Sequence, residues 1–297
     1  MHFAGPFAFI DAYLYDLIKL TAQESIYIHG HRGARGWRTE NSIEGFCYAI
    51  EKGAHFVEMD VVLTRDDVIL VSHEPWMNGK ICTHPDGSLI PEEEERQRNI
   101  FEMNLREAQS YHLGEIRQDR FPDQKKGITF KPSLAEVFRE VRHIATKYPQ
   151  FTGFNIEIKS RQEWDDVYHP QPMEYARLVL RRLHELTNPF ECIIQTFDFR
   201  LLEALHRLKC PYPLVALVES EDECNYALEK ISFTPWGIGP HYSMVDAQLV
   251  NHCHGAKLEL LTWTVNEEQD ITSIAQLGVR HIISDYPDRV ASILRRL

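Results

Sequence analysis

The sequence predicts an α/β protein, a closed (β/α)8 TIM barrel with a small insertion after the second strand. Three observations carry this. Short β-branched or aromatic runs alternate with helix-period segments almost to the C-terminus. Eight such pairs run in the order strand then helix, which builds a parallel sheet with helices outside it. The length, 297 residues, suits one large domain of this kind. A doubly wound sheet of eight strands is the alternative on the same pattern.

The strand runs fall near 25–30, 55–63, 152–159, 191–197, 213–218, 236–241, 258–265 and 279–284. Helical periodicity occupies about 41–52, 133–147, 172–187, 199–208, 221–229, 246–255, 267–277 and 287–296. The first strand run, SIYI, opens into HGHRGARGWRTENS (29–42), which is either a solvated turn or a loop closing on an anion. After the second run, FVEMDVVLT, the segment VILVSH (68–73) pairs back as a hairpin across TRDD. Residues 75–130 then break the rhythm: they are polar and turn-rich, with one modest helical stretch around 103–112. A segment this long between barrel elements is functional or a small subdomain. The acidic run Glu92–Glu95 within it reads as a solvated helix start, and NHCHG (251–255) as a helix end with a Gly stop rather than a metal site. Residues 1–24 are apolar and aromatic but interrupted by Asp11, Asp16 and Lys19; they read as a helix or extension at the edge of a barrel domain spanning 25–297.

Composition excludes several function classes. The formal charge of −12 argues against bulk attraction to nucleic acid or to an anionic membrane. An anionic substrate must therefore be met by a local cationic site, a metal ion included. No apolar run is long enough for a membrane span, and the N-terminus lacks the basic start of a secretory signal. That points to the cytoplasm, with an atypical signal as the route to the periplasm or the exterior. The six cysteines are scattered with no Cys-x-x-Cys pair, so a zinc ribbon or redox motif is not expected. There is no P-loop, dinucleotide fingerprint or Gly-x-Ser-x-Gly elbow.

Function in a barrel of this type sits at the C-terminal ends of the strands. The first strand delivers His31 and Arg32, and the hairpin ends at His73. Glu58 and Asp60 lie two apart on the second strand and Glu157 and Lys159 two apart on the third, so each pair shares one face. Later strands end in Gln195, in Trp263 and Asn266, and in Asp285. Three buried carboxylates on neighbouring strands repel one another unless a cation compensates them. A hard divalent cation, Mg²⁺ or Ca²⁺, would do so; salt bridges to Arg32 and Lys159 are the alternative. Two histidines beside such a cluster suit a general acid and base, and Arg32 and Lys159 suit anionic oxygens. The set fits phosphoryl transfer better than glycoside cleavage, which needs no cationic cradle.

At these residues the chain resembles the glycerophosphodiester phosphodiesterase family. The words that carry the likeness are HRGARG with ENS, VEMDVVLTRD, LVSHE, FNIEIKS, QTFD, LLTWTVN and GVRHIISDYP, over roughly 26–296. His31 precedes Glu58 by 27 residues and His73 by 42, as that family spaces them. The resemblance implies a TIM barrel whose insertion is residues 75–130. It implies that Glu58, Asp60 and Glu157 bind a divalent metal, Ca²⁺ or Mg²⁺, that His31 and His73 are the acid/base pair, and that Arg32 and Lys159 hold phosphate. Trp263 would wall the glycerol and Glu40 would support through hydrogen bonds. The implied reaction is hydrolysis of a small-molecule glycerophosphodiester to sn-glycerol 3-phosphate and an alcohol, in lipid and glycerol metabolism. Trp37 and Arg38 depart from the family's usual first motif. A phosphodiesterase of the same barrel acting on lysophospholipid or another phosphodiester lipid is the enzymatic alternative, and a catalytically silent phosphate-binding protein the non-enzymatic one. The sequence leaves open the preferred alcohol, the histidine roles, whether water or a substrate hydroxyl attacks, and the oligomeric state.

Overall fold

The computed structural model describes residues 26–187, 191–229 and 231–297; the edge-helix reading of 1–24 lies outside them. In chain order the strands are β1 (Tyr27–Gly30), β2 (Phe56–Leu63), β3 (Ile69–Val71), β4 (Cys82–Thr83), β5 (His112–Leu113), β6 (Gly153–Ile158), β7 (Cys192–Thr196), β8 (Leu214–Val218), β9 (Gly237–Pro240), β10 (Glu259–Thr262) and β11 (His281–Ser284). The helices are α1 (Ile43–Glu51), α2 (Glu92–Glu95), α3 (Leu105–Ala108), α4 (Leu134–Ala145), α5 (Pro172–Leu186), α6 (Phe199–Arg207), α7 (Glu221–Glu229), α8 (Ala247–Ala256), α9 (Glu268–Gln276) and α10 (Pro287–Leu294).

Strands β1, β2 and β6 to β11 pair in parallel in the order β1-β11-β10-β9-β8-β7-β6-β2, and β1 also pairs with β2. That last pairing closes the ring, so the sheet is a barrel and the doubly wound alternative falls. The second strand extends into an antiparallel hairpin with β3, Val61 opposite Val71, as VILVSH suggested.

Alternation along the strands divides two cores. Val57, Met59 and Val61 of β2 point outward and pack with Phe46, Phe138, Ile156 and Leu202 under the helices. Phe56 points inward and clusters with Ile193, Val215, Leu261 and Ile283. Glu58 and Asp60 share the parity of Phe56, so they face the barrel interior. The helices begin on side-chain caps that the sequence supplies: Ser42 accepts from Gly45 N–H, Ser133 and Glu136 form a capping box, and Asp246 accepts from Leu249 N–H. At NHCHG the structure differs from the expected Gly stop. Gly255 stays helical, and the chain turns instead at Lys257, φ 59°, whose N–H reaches the carbonyls of Cys253 and His254.

Residues 75–130 hold the small β4–β5 sheet, the short helices α2 and α3, and a hydrophobic cluster of their own around Met77, Cys82, Ile100 and Leu113. That cluster includes Val62 and Leu70, so it is seated on the hairpin. All six cysteines are free thiols.

The floor of the barrel carries buried histidines. His29 Nε2 lies 3.0 Å from His281 Nδ1, and the His29 ring stacks on Phe56 at 4.6 Å. Burial, then repulsion from neighbouring charge, pushes His29 well below the ordinary 6.5 and His281 down to about 3. Between those values the unfolded chain binds protons that the native chain refuses, so this contribution is fully present above pH 6.5 and is lost as pH falls toward 3. Each such imidazole can supply a slope of up to about 1.4 kcal/mol per pH unit. Urea unfolding at pH 7, 6 and 5 should therefore show stability falling with acid, with a shallower fall in His281→Gln. An equal slope in the variant would show that His281 takes up the same protons in the native and the unfolded chain.

Candidate active site

The loop after β1 sets the site. Its glycines are there for close approach: Gly33 sits at φ +86°, and a Cβ on it would lie 2.6 Å from the carbonyl carbon of Gly45. The expected closure of this backbone on an anion takes an unexpected form. The anion that the N–H of Arg32 meets is a protein carboxylate, Glu58 Oε2, at 2.7 Å. The His31 and Gly33 amides are likewise used internally, on Ser284 O and Gly30 O. The side chains, not the loop amides, are what remain to face a ligand.

Register brings the carboxylates together. Asp60 of β2 pairs with Glu157 of β6, and Glu157 with Gln195 of β7. Oxygens of Glu58, Asp60 and Glu157 lie within 4.8 Å of one another, all on buried residues. Burial, then the charges of Asp60 and Glu157, push Glu58 well above the ordinary carboxylate range. Asp60 goes the other way: although burial opposes it, Arg32, His73, Lys159 and the Asn41 amide hold it far below that range. Asn41 Nδ2 donates to Asp60 Oδ2 at 2.8 Å.

Both cations engage this cluster. Arg32 Nη1 donates to Glu40 Oε1 at 2.9 Å, and its Nε lies 3.2 Å from Asp60 Oδ2 without being aimed at it. Lys159 Nζ donates to Glu157 Oε1 at 2.6 Å and lies 3.6 Å from Asp60 Oδ1. The salt bridges that the sequence offered as an alternative are thus present, and they do not balance the site. With all six carboxylates (Glu40, Glu58, Asp60, Glu74, Glu157, Asp285) ionised against Arg32, Arg35, Lys131 and Lys159, two negative charges would be in excess, and it is Glu58 that is pushed toward its protonated form. A cluster of hard oxygen donors with that surplus fits a divalent cation, and Glu58, Asp60 and Glu157 are the residues that could hold it.

Each histidine has its own carboxylate. His31 Nδ1–H donates to Asp285 Oδ1 at 2.8 Å, a bond whose direction follows because the carboxylate can only accept. Asp285 also accepts from Arg35 Nε at 2.8 Å and Asn266 Nδ2 at 2.8 Å, and it is held ionised, far below its ordinary value. Burial first, then Arg35, lowers His31 to about 4 despite Asp285, so at neutral pH it is an uncharged imidazole with a lone pair on Nε2. His73 Nδ1 lies 2.7 Å from Glu74 Oε1. Against burial, the His73 bond and nearby cations bring Glu74 down to about 2.

His31, Arg32, Glu58, His73, Glu157, Lys159 and Trp263 all line one cavity of about 700 Å³, with Asp60 in the carboxylate cluster at its floor. Trp263 donates its indole N–H to Gly239 O and meets Phe197 edge-on at 5.5 Å, forming an apolar wall. Sequence reading missed Arg35 and Glu74 and left Asp285 and Asn41 without roles. Their signal was adjacency: Arg35 is the second arginine of HRGARG, Asn41 lies in ENS, Glu74 follows His73, and Asp285 heads DYP.

The model of the glycerophosphoryl diester phosphodiesterase family matches residues 31–289. A glycerophosphodiester phosphodiesterase of Bacillus subtilis is 26% identical over 91% of this chain and 87% of its own length. Human lysophospholipase D GDPD3 is 23% identical over 88% of this chain and 83% of its own. Among crystal structures, a provisionally assigned glycerophosphoryl diester phosphodiesterase from Silicibacter pomeroyi superposes with TM-score 0.81 and 28% identity, covering 92% of this chain and 94% of its own. An Oleispira antarctica phosphodiesterase, solved with its product sn-glycerol-3-phosphate, shares the fold at TM-score 0.70 and 20% identity, over 91% of this chain and 96% of its own. The chain belongs to the glycerophosphoryl diester phosphodiesterase family, and as a member it is a phosphoric diester hydrolase.

Proposed function

We propose that this enzyme hydrolyses glycerophosphodiesters to sn-glycerol 3-phosphate and an alcohol, with a divalent cation, Ca²⁺ or Mg²⁺, held by Glu58, Asp60 and Glu157. The observation that carries the reading is the buried three-carboxylate cluster facing two histidines that have separate carboxylate partners. When bound, the cation would polarise the phosphoryl group and offset negative charge in the transition state. Arg32 and Lys159 hold non-bridging phosphate oxygens, Arg32 as a fork and Lys159 as a point charge. Release of Lys159 from Glu157 and of Arg32 from Glu40 frees the donors for that role.

The two histidines divide the proton transfers by their surroundings. His31, neutral and oriented by Asp285, presents Nε2 as the base that deprotonates the nucleophile. That nucleophile is water or the substrate's own glycerol hydroxyl. His73, with Glu74 beside Nδ1 to support its positive charge, is the acid that protonates the leaving alkoxide. Arg35 and Asn266 hold Asp285, and so the orientation of His31. The Trp263 ring gives one side of the cavity an apolar surface that suits the carbon backbone of the glycerol unit.

The test is release of sn-glycerol 3-phosphate from a panel of glycerophosphodiesters with Ca²⁺, Mg²⁺ or EDTA, beside a lysophospholipid. Metal-dependent release supports the reading. Cleavage of the lysophospholipid alone would move the substrate to the class in the human relative's name. His31→Ala and His73→Ala should each lower kcat by a factor on the order of 10² to 10⁴ with the circular dichroism spectrum retained; near-normal kcat in either would remove that residue from the chemistry. Glu58→Gln should raise the metal concentration for half activity by more than about tenfold, and an unshifted value counts against its ligand role. If His31 is the base, the acid limb of kcat/KM falls nearer pH 4 than 6.5. A limb at the ordinary histidine value would show that burial does not lower His31 in the working enzyme.

A further inference from the structure

Three arginines at the mouth of the cavity have no part in the chemistry above. Arg96 and Arg120 come from the insertion, and Arg161 from the loop after β6; all three are exposed and line the opening. Aromatic rings hold them in place. The Arg96 guanidinium lies 4.8 Å from the ring centre of Trp76, Arg161 lies 5.2 Å from Trp164, and Arg120 lies 5.4 Å from Phe121. Trp76 and Trp164 themselves meet edge to face at 5.8 Å. Among the described residues, no carboxylate oxygen lies within 4.0 Å of the Arg96 or Arg120 guanidinium, and Arg161 has only Glu163 at 3.9 Å. In a chain with a formal charge of −12, three poorly compensated guanidinium groups lining one cavity are a local concentration of positive charge.

The opposite wall differs. Glu219, just after β8, with Glu267 and Asp270 at the start of α9, lines the cavity too. In the closed ring β8 and β10 each stand three strands from β2, which carries the insertion, so Arg96 and Arg120 stand across the mouth from the acidic wall, while Arg161, after β6, is two strands from β8 and shares a neighbouring pocket with Glu219. This polarity orients a diester. Glycerol hydroxyls donate to carboxylates, so the glycerol arm suits the acidic wall. An anionic arm is repelled there and attracted by the arginines. A quaternary ammonium head group is disfavoured on the insertion side, because Trp76 and Trp164 already carry guanidinium groups on their faces.

We propose that Arg96, Arg120 and Arg161 form a second anion subsite that selects glycerophosphodiesters whose alcohol carries its own phosphate. The proposal rests on the phosphodiesterase reading above and names the alcohol class for that site. Guanidinium groups pre-placed on aromatic rings present their N–H forks to a phosphomonoester with little further ordering.

The experiment compares kcat/KM for glycerophosphoinositol 4-phosphate, glycerophosphoinositol and glycerophosphocholine in the wild-type enzyme and in Arg96→Gln/Arg120→Gln. Because the ratio of the two inositol substrates is taken within each protein, a loss of active enzyme cancels. The wild type should favour the phosphorylated substrate by about tenfold or more, the scale of one charge-assisted contact. In the double variant the ratio should fall to within about threefold of unity, mostly through KM. Raising the salt should lower the wild-type ratio, since exposed charge pairs are screened. A wild-type ratio near one, a ratio unchanged in the double variant, or a preference for glycerophosphocholine would overturn the subsite. If no diester in the panel is cleaved with any metal, the phosphodiesterase reading fails and takes the subsite with it. Cleavage of glycerophosphoinositol without preference removes the subsite alone.

Discussion

The interaction on which the rest of the structure depends is repulsion among Glu58, Asp60 and Glu157. Parallel pairing of β2 with β6 forces Asp60 and Glu157 side by side, and strand parity puts Glu58 on the same inward face. Three carboxylates within 4.8 Å inside a protein cost several kcal/mol each unless compensated. The surroundings are arranged around that cost. The turn after β1 bends so that a backbone N–H meets Glu58, Asn41 and Arg32 reach Asp60, and Lys159 bridges Glu157 and Asp60. What these partners leave uncompensated is the charge a divalent cation would meet.

The same need extends through the barrel. Gln195 Nε2 approaches Glu58 Oε1 at 3.4 Å, Asn155 donates to Gln195 at 3.0 Å, and Asn155 in turn lies 3.3 Å from His29. With the His29–His281 contact, a polar thread runs from the carboxylate cluster to the floor, where most barrels pack branched apolar side chains. Such a thread fixes the amide and imidazole orientations, because each group has few ways to satisfy its neighbour. Asn155 Oδ1 has no hydrogen-bond partner, so the thread is satisfied on one side only.

Much of this was legible in the sequence, for identifiable reasons. The eight strand-helix pairs were visible because the apolar runs are uninterrupted and the helices carry strong caps, such as Ser133 with Glu136. Strand ends were read one to several residues long; 258–265 shrinks to Glu259–Thr262 because propensity does not mark where ladder pairing stops. Glu58, Asp60 and Glu157 were legible because a charge in a two-sided buried strand has few structural excuses. The pairing of His31 with Asp285 was not, since 254 residues separate them and only closure of the ring brings β11 beside β1. Arg35 escaped for the same reason: its partner is Asp285, and local sequence cannot choose which arginine of HRGARG turns inward. The fate of the loop amides was misjudged because glycine content reports permissiveness, not the identity of the acceptor.

The insertion has a hydrophobic cluster of its own, seated on the β2–β3 hairpin through Val62 and Leu70. One side of the substrate mouth is therefore built by a packing unit distinct from the one that builds the catalytic floor. Sequence drift in residues 75–130 can repack that unit and redraw the rim while β2 keeps its inward face and its register with β6. A lineage can accordingly change which molecules reach the carboxylates without paying in the geometry that would cleave them.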